Sequence, residues 1–423
     1  MERERLTNWS GNVVFGAART HRPTSVQELQ RVVAGSSAVR ALGTGHSFSR
    51  VADTPGDLVQ TSALPRTIEV DTEARRVLVG GGVRYGELGR ALQAHGMALT
   101  NTGSLPHISV AGACATGTHG SGLGNRILAA SVRAMTLVGP EGDLVRVDES
   151  VGEEWKGWVL ALGRLGIVID LTLDVVPTFL VAQTVVEDVD EQDVAGRVED
   201  VLAASYSVSI FTDWGSPAQV SVWVKERLAD GQREQVLPEL WGGRPADGPR
   251  NPVFGMAADN ATQQQGVPGP WNERLPHFRL EFTPSNGDEQ QSEYLLPVGD
   301  ASAAWRALGE VRDAVAPALQ VSEVRTIGAD DHWLSETGGV DAVGFHFTWV
   351  NDDARVAPAV AAVEEALRPF DVRPHWGKVF STSPSGIAAA YPHLDDFRRL
   401  VSRVDPGGVF ASEVVDTWLG ISR

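Results

Sequence analysis

The feature that most constrains this chain is a histidine that follows a glycine-rich bend at the end of an apolar strand. Residues 41–48 read ALGTGHSF. The preceding segment, Val39 to Leu42, predicts a short strand, and Gly43 and Gly45 allow the chain to turn sharply after it. The bare backbone amides of such a turn can approach an anionic group, with His46 held at the rim. We therefore expect a strand, a tight turn and an anion-binding site in direct succession.

Two familiar glycine motifs do not fit this turn. A dinucleotide-binding fingerprint needs a third glycine, and Phe48 stands where it should be. A nucleophile elbow needs a closing glycine, and residues 45–49 end in Ser49 instead. A tight turn without any ligand is a further interpretation, and this motif alone leaves it open.

A second stretch of small residues strengthens the case for a large ligand. Residues 111–124 read AGACATGTHGSGLG and carry His119. Two such loops, far apart in sequence, suit a long phosphate-bearing cofactor that lies between domains.

Composition narrows the class of protein. A length of 423 residues is typical of about two to three domains. The formal charge of −18 disfavours nucleic acids and anionic membrane surfaces as partners and favours a neutral substrate. The start, MERERLTNWSG, contains no apolar segment, so we expect a cytoplasmic protein without a membrane anchor. The single cysteine, Cys114, is expected to be a small buried residue.

Hydrophobic patterning indicates two kinds of folding unit. Before Pro177, a helix capped by Ser25 and Glu28, a helix at 85–94 and several strands alternate, including a hairpin over 134–148. From there to about Pro374, helices are predicted at 190–204, 301–319 and 356–367, with strands such as QVSVWVK and HFRLEF. This pattern predicts an antiparallel sheet covered by helices. The Pro- and Gly-rich segment 229–273 is expected to form a long surface excursion.

Two predicted strands carry polar faces. Glu323 and Arg325 are two residues apart and share one face, as do His346 and Thr348. Residues Phe345, Phe347 and Trp349 fill the opposite face of the second strand. Two such faces together would form a wall of donors and acceptors suited to a polyol. Faces that simply contact water fit the pattern equally well.

Five motifs together resemble a known family. The stretches ALGTGHSF, TNTGSLPHISVAG, ATGTHGSG, HFTW and PHWGK are similar to those of vanillyl-alcohol-oxidase-type flavoproteins, and within them the bacterial alditol oxidases. The resemblance implies a two-domain α+β fold. It places an FAD-binding domain of the PCMH type at residues 1–177, an antiparallel-sheet substrate cap at 178–374, and a C-terminal segment at 375–423 that completes the first domain.

The resemblance also implies roles for individual residues. His46 would be joined covalently to FAD, and Lys378, Arg325, Glu323 and Ser104 would be the catalytic and substrate-binding set, with His346 and Thr348 beside them. The remaining predicted cofactor contacts are Gly43, Thr44, Gly45, Ser47, Phe48, Gly103, Ser104, Ser109, Gly112, Thr116, Gly117, Thr118, His119, Ile167 and His375. No metal is expected.

The implied reaction is oxidation of the terminal alcohol of xylitol, sorbitol or similar alditols to the aldose. In it, hydride passes to flavin N5 while Arg325 and Lys378 stabilise the alkoxide and accept the proton. Dioxygen would reoxidise the flavin and give hydrogen peroxide, with Gly103 leaving room for it, and the protein would act as a monomer. An aldonolactone oxidase or dehydrogenase is the close alternative, and a flavin-free polyol-binding protein is the more distant one.

Three positions depart from the family pattern. Ser412 ends DPGGVFAS where the family has asparagine, which puts that polar contact in doubt. Gly103 and Cys114 stand where alanine and valine are expected.

Overall fold

The computed structural model describes residues 6–228, 240–285 and 287–422, and mixes helices with mainly antiparallel sheets, as predicted. The strands are β1 (Arg19–His21), β2 (Val39–Leu42), β3 (Asp57–Gln60), β4 (Ile68–Asp71), β5 (Arg76–Gly80), β6 (Met97–Ala98), β7 (Val132–Val138), β8 (Leu144–Asp148), β9 (Ile167–Asp174), β10 (Val176–Pro177), β11 (Leu180–Glu187), β12 (Ser207–Thr212), β13 (Val220–Leu228), β14 (Arg244–Pro245), β15 (Gly269–Pro270), β16 (Glu289–Pro297), β17 (Leu319–Ile327), β18 (Ala342–Val350) and β19 (Arg373–Pro374).

Most of the α-helices in the described residues are short. They are α1 (Val26–Ala34), α2 (Tyr85–Ala94), α3 (Val110–Ala115), α4 (Trp155–Trp158), α5 (Glu191–Ala195), α6 (Val198–Leu202), α7 (Ala301–Glu310), α8 (Arg312–Val315), α9 (Asp353–Leu367), α10 (Pro384–Ala390), α11 (Leu394–Val404) and α12 (Glu413–Leu419). Within the described ranges, none of them combines the length and apolarity needed to cross a bilayer.

The strands before residue 178 form small sheets that set up the glycine turn. β1, β3 and β2 make a parallel sheet, and β4-β5-β9-β7-β8 make an antiparallel one. The predicted hairpin is confirmed, because β7 pairs with β8 and Gly142 turns between them at a φ of +82°. β2 occupies Val39–Leu42 as predicted, so the GTGHS turn leaves the end of a sheet strand.

The strands between 180 and 374 form one antiparallel sheet in the order β14-β11-β13-β12-β17-β18-β16-β19, with β15 also paired to β11. One face packs in an apolar core that contains Phe345, Phe347 and Trp349 on β18 together with side chains of α7 and α9. Because side chains alternate along a strand, the neighbouring polar residues of β18 turn to the other face. The predicted helix-covered antiparallel sheet is confirmed.

Three secondary-structure predictions in this part of the chain need correction. HFRLEF, residues 277–282, is not a strand: it makes one isolated bridge from Phe278 to Ala261. The backbone N–H groups of His277 and Phe278 both bond to the carbonyl of Ser104 instead. The helix predicted over 190–204 is split into α5 and α6. The one predicted over 301–319 is split into α7 and α8 at Val311, and a 3-10 turn at 316–318 leads into β17.

The Pro- and Gly-rich excursion is only partly described. Residues 229–239 lie outside the described residues, whereas the segment from 240 to 273 is tied to the sheet through β14 and β15. Trp271 is fully buried and donates its indole N–H to the carbonyl of Met97. Two other residues of the excursion, Pro252 and Val253, line the cleft described below. This part of the excursion is therefore more than surface chain.

Candidate active site

A single large cleft runs between the glycine turn and the polar face of the long sheet. It encloses about 1760 Å³ including its open mouth. Residues of the GTGHS turn and of the 103–119 segment line it together with side chains of β17 and β18, and Ser104 contacts Arg325 on β17 directly. Of the residues predicted to bind cofactor or substrate, those that line the cleft are Gly43, Thr44, Gly45, His46, Ser47, Phe48, Gly103, Ser104, Ser109, Gly112, Thr116, Thr118, His119, Glu323, Arg325, His346, Thr348, His375 and Lys378.

The glycine turn is held rigidly against the second small-residue loop. Gly45 adopts a φ of +72°, which a glycine takes without strain. A Cβ added to Gly43 would clash with Oγ of Ser109 unless that side chain rotated, so glycine favours this approach of the two loops. Thr44 Oγ1 accepts a hydrogen bond from the backbone N–H of Ser109 at 3.2 Å. The two loops therefore form one continuous wall of the cleft.

His46 lines the cleft as a neutral imidazole. Its Nδ1 is buried and has no hydrogen-bond partner among the described residues. Trp9 lies against the ring, with centroids 5.1 Å apart. Burial, reinforced by His107, lowers the pKa of His46 to about 4. An unprotonated, unpartnered ring nitrogen at the cleft is what a covalent bond to a cofactor requires.

The cleft fits FAD. The part of its wall formed by the glycine turn and the second small-residue loop consists of bare backbone and small side chains, as a dinucleotide's phosphates require. Nδ1 of His46 is buried without a hydrogen-bond partner among the described residues, and a bound cofactor would explain this. The loops carrying His46 and Ser109 would hold the cofactor along this wall.

Two predicted cofactor contacts do not line the cleft. Gly117 faces Glu336: a Cβ there would lie 2.0 Å from the Glu336 carboxylate. Ile167 packs in the apolar core beside Val138 and Phe410, whereas its neighbours Gly166 and Val168 line the cleft. The strand alternation of β9 turns the Ile167 side chain inward. Both residues therefore lie beside the cleft, and their role as cofactor contacts stays a prediction.

A buried carboxylate that the sequence analysis did not predict binds both predicted cations of the cleft, Arg325 and Lys378. Glu293 on β16 has a fully buried side chain. Its Oε1 accepts from Nη2 of Arg325 at 2.8 Å and its Oε2 accepts from Nζ of Lys378 at 2.6 Å. Gly344 makes this possible, because a Cβ at 344 would come within 3.2 Å of Glu293 Oε1. Nη1 of Arg325 also donates to Ser104 Oγ at 3.1 Å.

These contacts determine the charges of Glu293 and Lys378. Burial alone would raise the pKa of Glu293, but Arg325 and Lys378 outweigh it and hold that pKa well below its usual range. Burial lowers the pKa of Lys378 below its ordinary value, with Glu293 opposing and Arg325 assisting the change. Lys378 is therefore a cation that gives up its proton more readily than a lysine in water.

Glu323 is the second buried carboxylate of the cleft. Its Oε1 accepts from Ser209 Oγ at 2.7 Å and faces His277 Nε2 at 3.0 Å. Its Oε2 lies 3.5 Å from Nη1 of Arg325. Burial by itself would raise the pKa of Glu323, but Arg325 and His277 hold it well below the usual value. Glu323 is therefore ionised.

His346 and Thr348 lie beside Glu323 on the cleft face, as predicted. Cross-strand pairing places His346 opposite both Glu323 and Glu293. Neither ring nitrogen of His346 has a hydrogen-bond partner in the described chain, although Nδ1 lies 4.0 Å from Glu323 Oε2. Burial lowers the pKa of His346 well below its ordinary value. This neutral ring is free to bond to a ligand in the cleft.

Several residues of the site escaped the sequence reasoning. Glu293 and Gln291 share a face of β16, and a pair of polar residues two apart beside YLL could have indicated a third polar strand. His277 and Lys225 gave no such signal, because their meeting depends on the fold of the excursion. Ser412 is buried at the start of α12, and its hydroxyl has no hydrogen-bond partner in the described part of the chain.

Family comparisons agree with this geometry. A model of the FAD binding domain matches residues 17–148, and a model of D-arabinono-1,4-lactone oxidase matches residues 288–418. The fold is similar to that of a cholesterol oxidase from B. sterolicum, with a TM-score of 0.79 at 16% identity, covering 98% of this chain and 96% of that one. The fold and the cleft define an FAD-binding oxidoreductase.

Similarity to curated proteins narrows the family. The chain is 51% identical to an alditol oxidase of a Streptomyces species over 96% of its own length and 97% of the relative's. An L-gulono-1,4-lactone dehydrogenase of Mycobacterium tuberculosis is 28% identical over 98% and 99% of the two chains. The chain belongs to the vanillyl-alcohol-oxidase-type FAD-linked oxidases and groups with the alditol oxidases among them.

Proposed function

We propose that this chain oxidises the terminal primary alcohol of alditols such as xylitol and sorbitol to the aldose, using FAD bound through His46. The observation that carries the proposal is the pairing of two cleft-lining cations, Arg325 and Lys378, with Glu293, in the cleft that His46 also lines. When bound, FAD accepts the two electrons of the alcohol and passes them to dioxygen, which gives hydrogen peroxide.

The residues present match the needs of a neutral polyhydroxy substrate. Two carboxylates, Glu293 and Glu323, face two cations, Arg325 and Lys378, so the charges of these four groups cancel. Charged substrates gain nothing from such a site, whereas hydroxyl groups can both donate to carboxylates and accept from cations. Ser104, His346 and Thr348 supply further polar groups around the same space.

The proton of the reacting hydroxyl has a defined destination. Lys378 is mainly a cation, but burial lowers its pKa, and the fraction that has lost its proton accepts the proton of the hydroxyl. Arg325 remains charged and stabilises the negative charge that develops on the alcohol oxygen. Glu323 accepts a hydrogen bond from another hydroxyl of the substrate. Gly103 lines the cleft beside Ser104 and leaves space for dioxygen.

The domain division at residues 177 and 374, the monomeric state and the cytoplasmic location stay predictions. The division is supported by the sheets on the two sides of residue 177, since the strands from 180 to 374 belong to one sheet.

A lactone oxidase is the second candidate, favoured by the lactone oxidase family model over residues 288–418. Anaerobic mixing of the purified yellow protein with xylitol or with L-gulono-1,4-lactone separates the two. We expect xylitol to bleach the flavin absorbance. Bleaching by the lactone alone would contradict alditol oxidation, and a colourless protein that binds xylitol would support a flavin-free binding function.

A further inference from the structure

A chain of buried polar groups runs from Glu323 through His277, which also lines the cleft, to Lys225, which does not. Nζ of Lys225 lies 3.3 Å from Nδ1 of His277, and Nε2 of His277 lies 3.0 Å from Oε1 of Glu323. Lys225 and His277 are 2% and 3% exposed. Neither has a role in the proposed reaction, yet burying an amine and an imidazole is costly unless their hydrogen bonds are made.

The direction of the hydrogen bonds follows from the acceptor at one end. The ionised carboxylate of Glu323 only accepts, so Nε2 of His277 must carry a proton, and Nδ1 of a neutral ring then accepts from Lys225. Burial lowers the pKa of Lys225 to about 7, and the amine keeps N–H groups to donate in either protonation state. Lys225 Nζ also donates to the carbonyl of Leu275, which fixes where the amine sits. A neutral His277 that accepts at Nδ1 must carry its proton on Nε2, and it therefore donates to Glu323.

The neutral state of His277 is supported by its surroundings. Burial, together with Lys225, lowers the pKa of His277 to about 4, although Glu323 opposes the change. An imidazolium would direct a second N–H at Nζ of Lys225, 3.3 Å away, and would be repelled by that amine whenever it is protonated. The rings of Phe211 and Trp223 enclose His277 at centroid distances of 5.4 Å each and keep it from turning.

The consequence for Glu323 is an asymmetric carboxylate. Its Oε1 receives two donors, from Ser209 and His277. Its Oε2 has two longer contacts among the described residues, 3.5 Å to Nη1 of Arg325 and 4.0 Å to Nδ1 of His346, and both of these residues line the cleft. An ionised carboxylate oxygen fixed in this way is an acceptor only, so it selects a ligand group that donates.

We propose that Lys225 and His277 are positioning residues that lock Glu323 with one oxygen free to accept a hydrogen bond from the substrate hydroxyl next to the reacting carbon. The inference deepens the proposed function, on which it rests. A substrate without that hydroxyl leaves the free oxygen buried and unmatched, which is the costly outcome for a site built around hydrogen bonds.

Glycerol and 1,3-propanediol test this role, because they differ only in the hydroxyl at the central carbon. We expect the wild-type protein to prefer glycerol in kcat/KM, and His277→Phe to lower that preference by roughly tenfold or more. Lys225→Met should act in the same direction, and Lys225→Gln, which can still donate, should restore part of the preference. His332→Phe is the control, since His332 is also a buried histidine but does not line the cleft.

A second measurement does not depend on turnover. Nitrogen-15 NMR of labelled histidine, with the His277 signal assigned by its loss in His277→Phe, should show a neutral ring protonated on Nε2. A proton on Nδ1, or an imidazolium near neutral pH, would overturn the proposal. The Lys225→Met variant should move the Nδ1 resonance, because the ring nitrogen loses its donor.

The outcomes separate this inference from the proposed function. If wild-type protein oxidises polyols and the folded variants of His277 and Lys225 keep the wild-type preference, the positioning role is wrong and the proposed function stands. If the wild-type protein oxidises neither glycerol nor xylitol, the proposed function fails and the selectivity role fails with it. The NMR result still decides the hydrogen-bond direction in that case. If His277→Phe does not fold, the two variants Lys225→Met and Lys225→Gln provide the same test.

Discussion

Lys378 donates a hydrogen bond of 2.6 Å to the fully buried carboxylate of Glu293, and this pair couples the proposed base to the proposed alkoxide-stabilising Arg325. The same carboxylate accepts from Nε and Nη2 of Arg325 through its other oxygen. One residue thus positions both cations. His119 and His375 lie close to Glu293 as well, but two cations already balance its charge, so a metal ion has no reason to bind there.

Glu293→Gln should shift the pH dependence of flavin reduction by polyol. Glu293 raises the pKa of Lys378 against the effect of burial, so its removal lowers that pKa further. If neutral Lys378 accepts the proton, the rate rises with pH up to that pKa, and the rising limb moves to lower pH in the variant. We also expect a loss of about 3 kcal/mol or more in the free energy of unfolding, because two buried cations lose their partner.

The control for this variant is Glu336→Gln. Glu336 is also buried, but burial raises its pKa well above the usual value, so the glutamine removes less charge there than Glu293→Gln removes from the site. Its pH profile should match that of the wild-type protein. A rising limb that stays in place in Glu293→Gln would show that Lys378 is not the group that titrates.

Lys378→Met should slow anaerobic flavin reduction by xylitol about 100-fold to 10,000-fold, the usual contribution of a general base. Stopped-flow absorbance measures this step without the oxygen reaction. Lys156→Met removes a lysine that pairs with Glu153 at the surface and is the control. Its flavin should be reduced by xylitol at the wild-type rate. Reduction of the Lys378 variant at wild-type speed would exclude it as the proton acceptor.

His46→Ala should abolish covalent attachment of FAD, read as the mass of the intact polypeptide. His107→Ala should keep the attachment, although its ring lies 6.3 Å from that of His46. Because the pKa of His46 is lowered to about 4, the ring is neutral throughout the range above that value. The extent of attachment to wild-type apoprotein should therefore be constant from about pH 6 upward. A wild-type mass without added FAD would contradict the role of His46.

Gly103→Ala should slow reoxidation of the reduced flavin by dioxygen several-fold while leaving reduction by xylitol unchanged. The added Cβ would lie 3.5 Å from both Ile108 Cδ1 and Thr118 Cγ2, which is ordinary contact, so the fold accepts it. It would nevertheless occupy space at the cleft wall. Equal rates of both half-reactions in the variant and the wild-type protein would show that oxygen does not approach at this position.

Much of the site could be predicted because it depends on short-range geometry. The turn from Leu42 to His46 follows from a strand that ends in two glycines, and the structure confirms its position at the cleft. The pairs Glu323 with Arg325 and His346 with Thr348 share a face because side chains alternate along any strand. The sequence left open whether those faces met water or a ligand, and the fold placed them in the cleft.

What only the tertiary structure decided is which distant residues meet. Glu293 binds Arg325 and Lys378 because β16 pairs with β18 in one register, and a shift by one residue would turn its side chain to the opposite face. HFRLEF has the alternation of a strand, yet its backbone bonds to Ser104, and His277 thereby reaches Glu323. The amino-acid sequence by itself determined the local elements and the faces they offer. Strand register and loop closure, which depend on contacts between segments far apart in the chain, decided how those faces combine into a site.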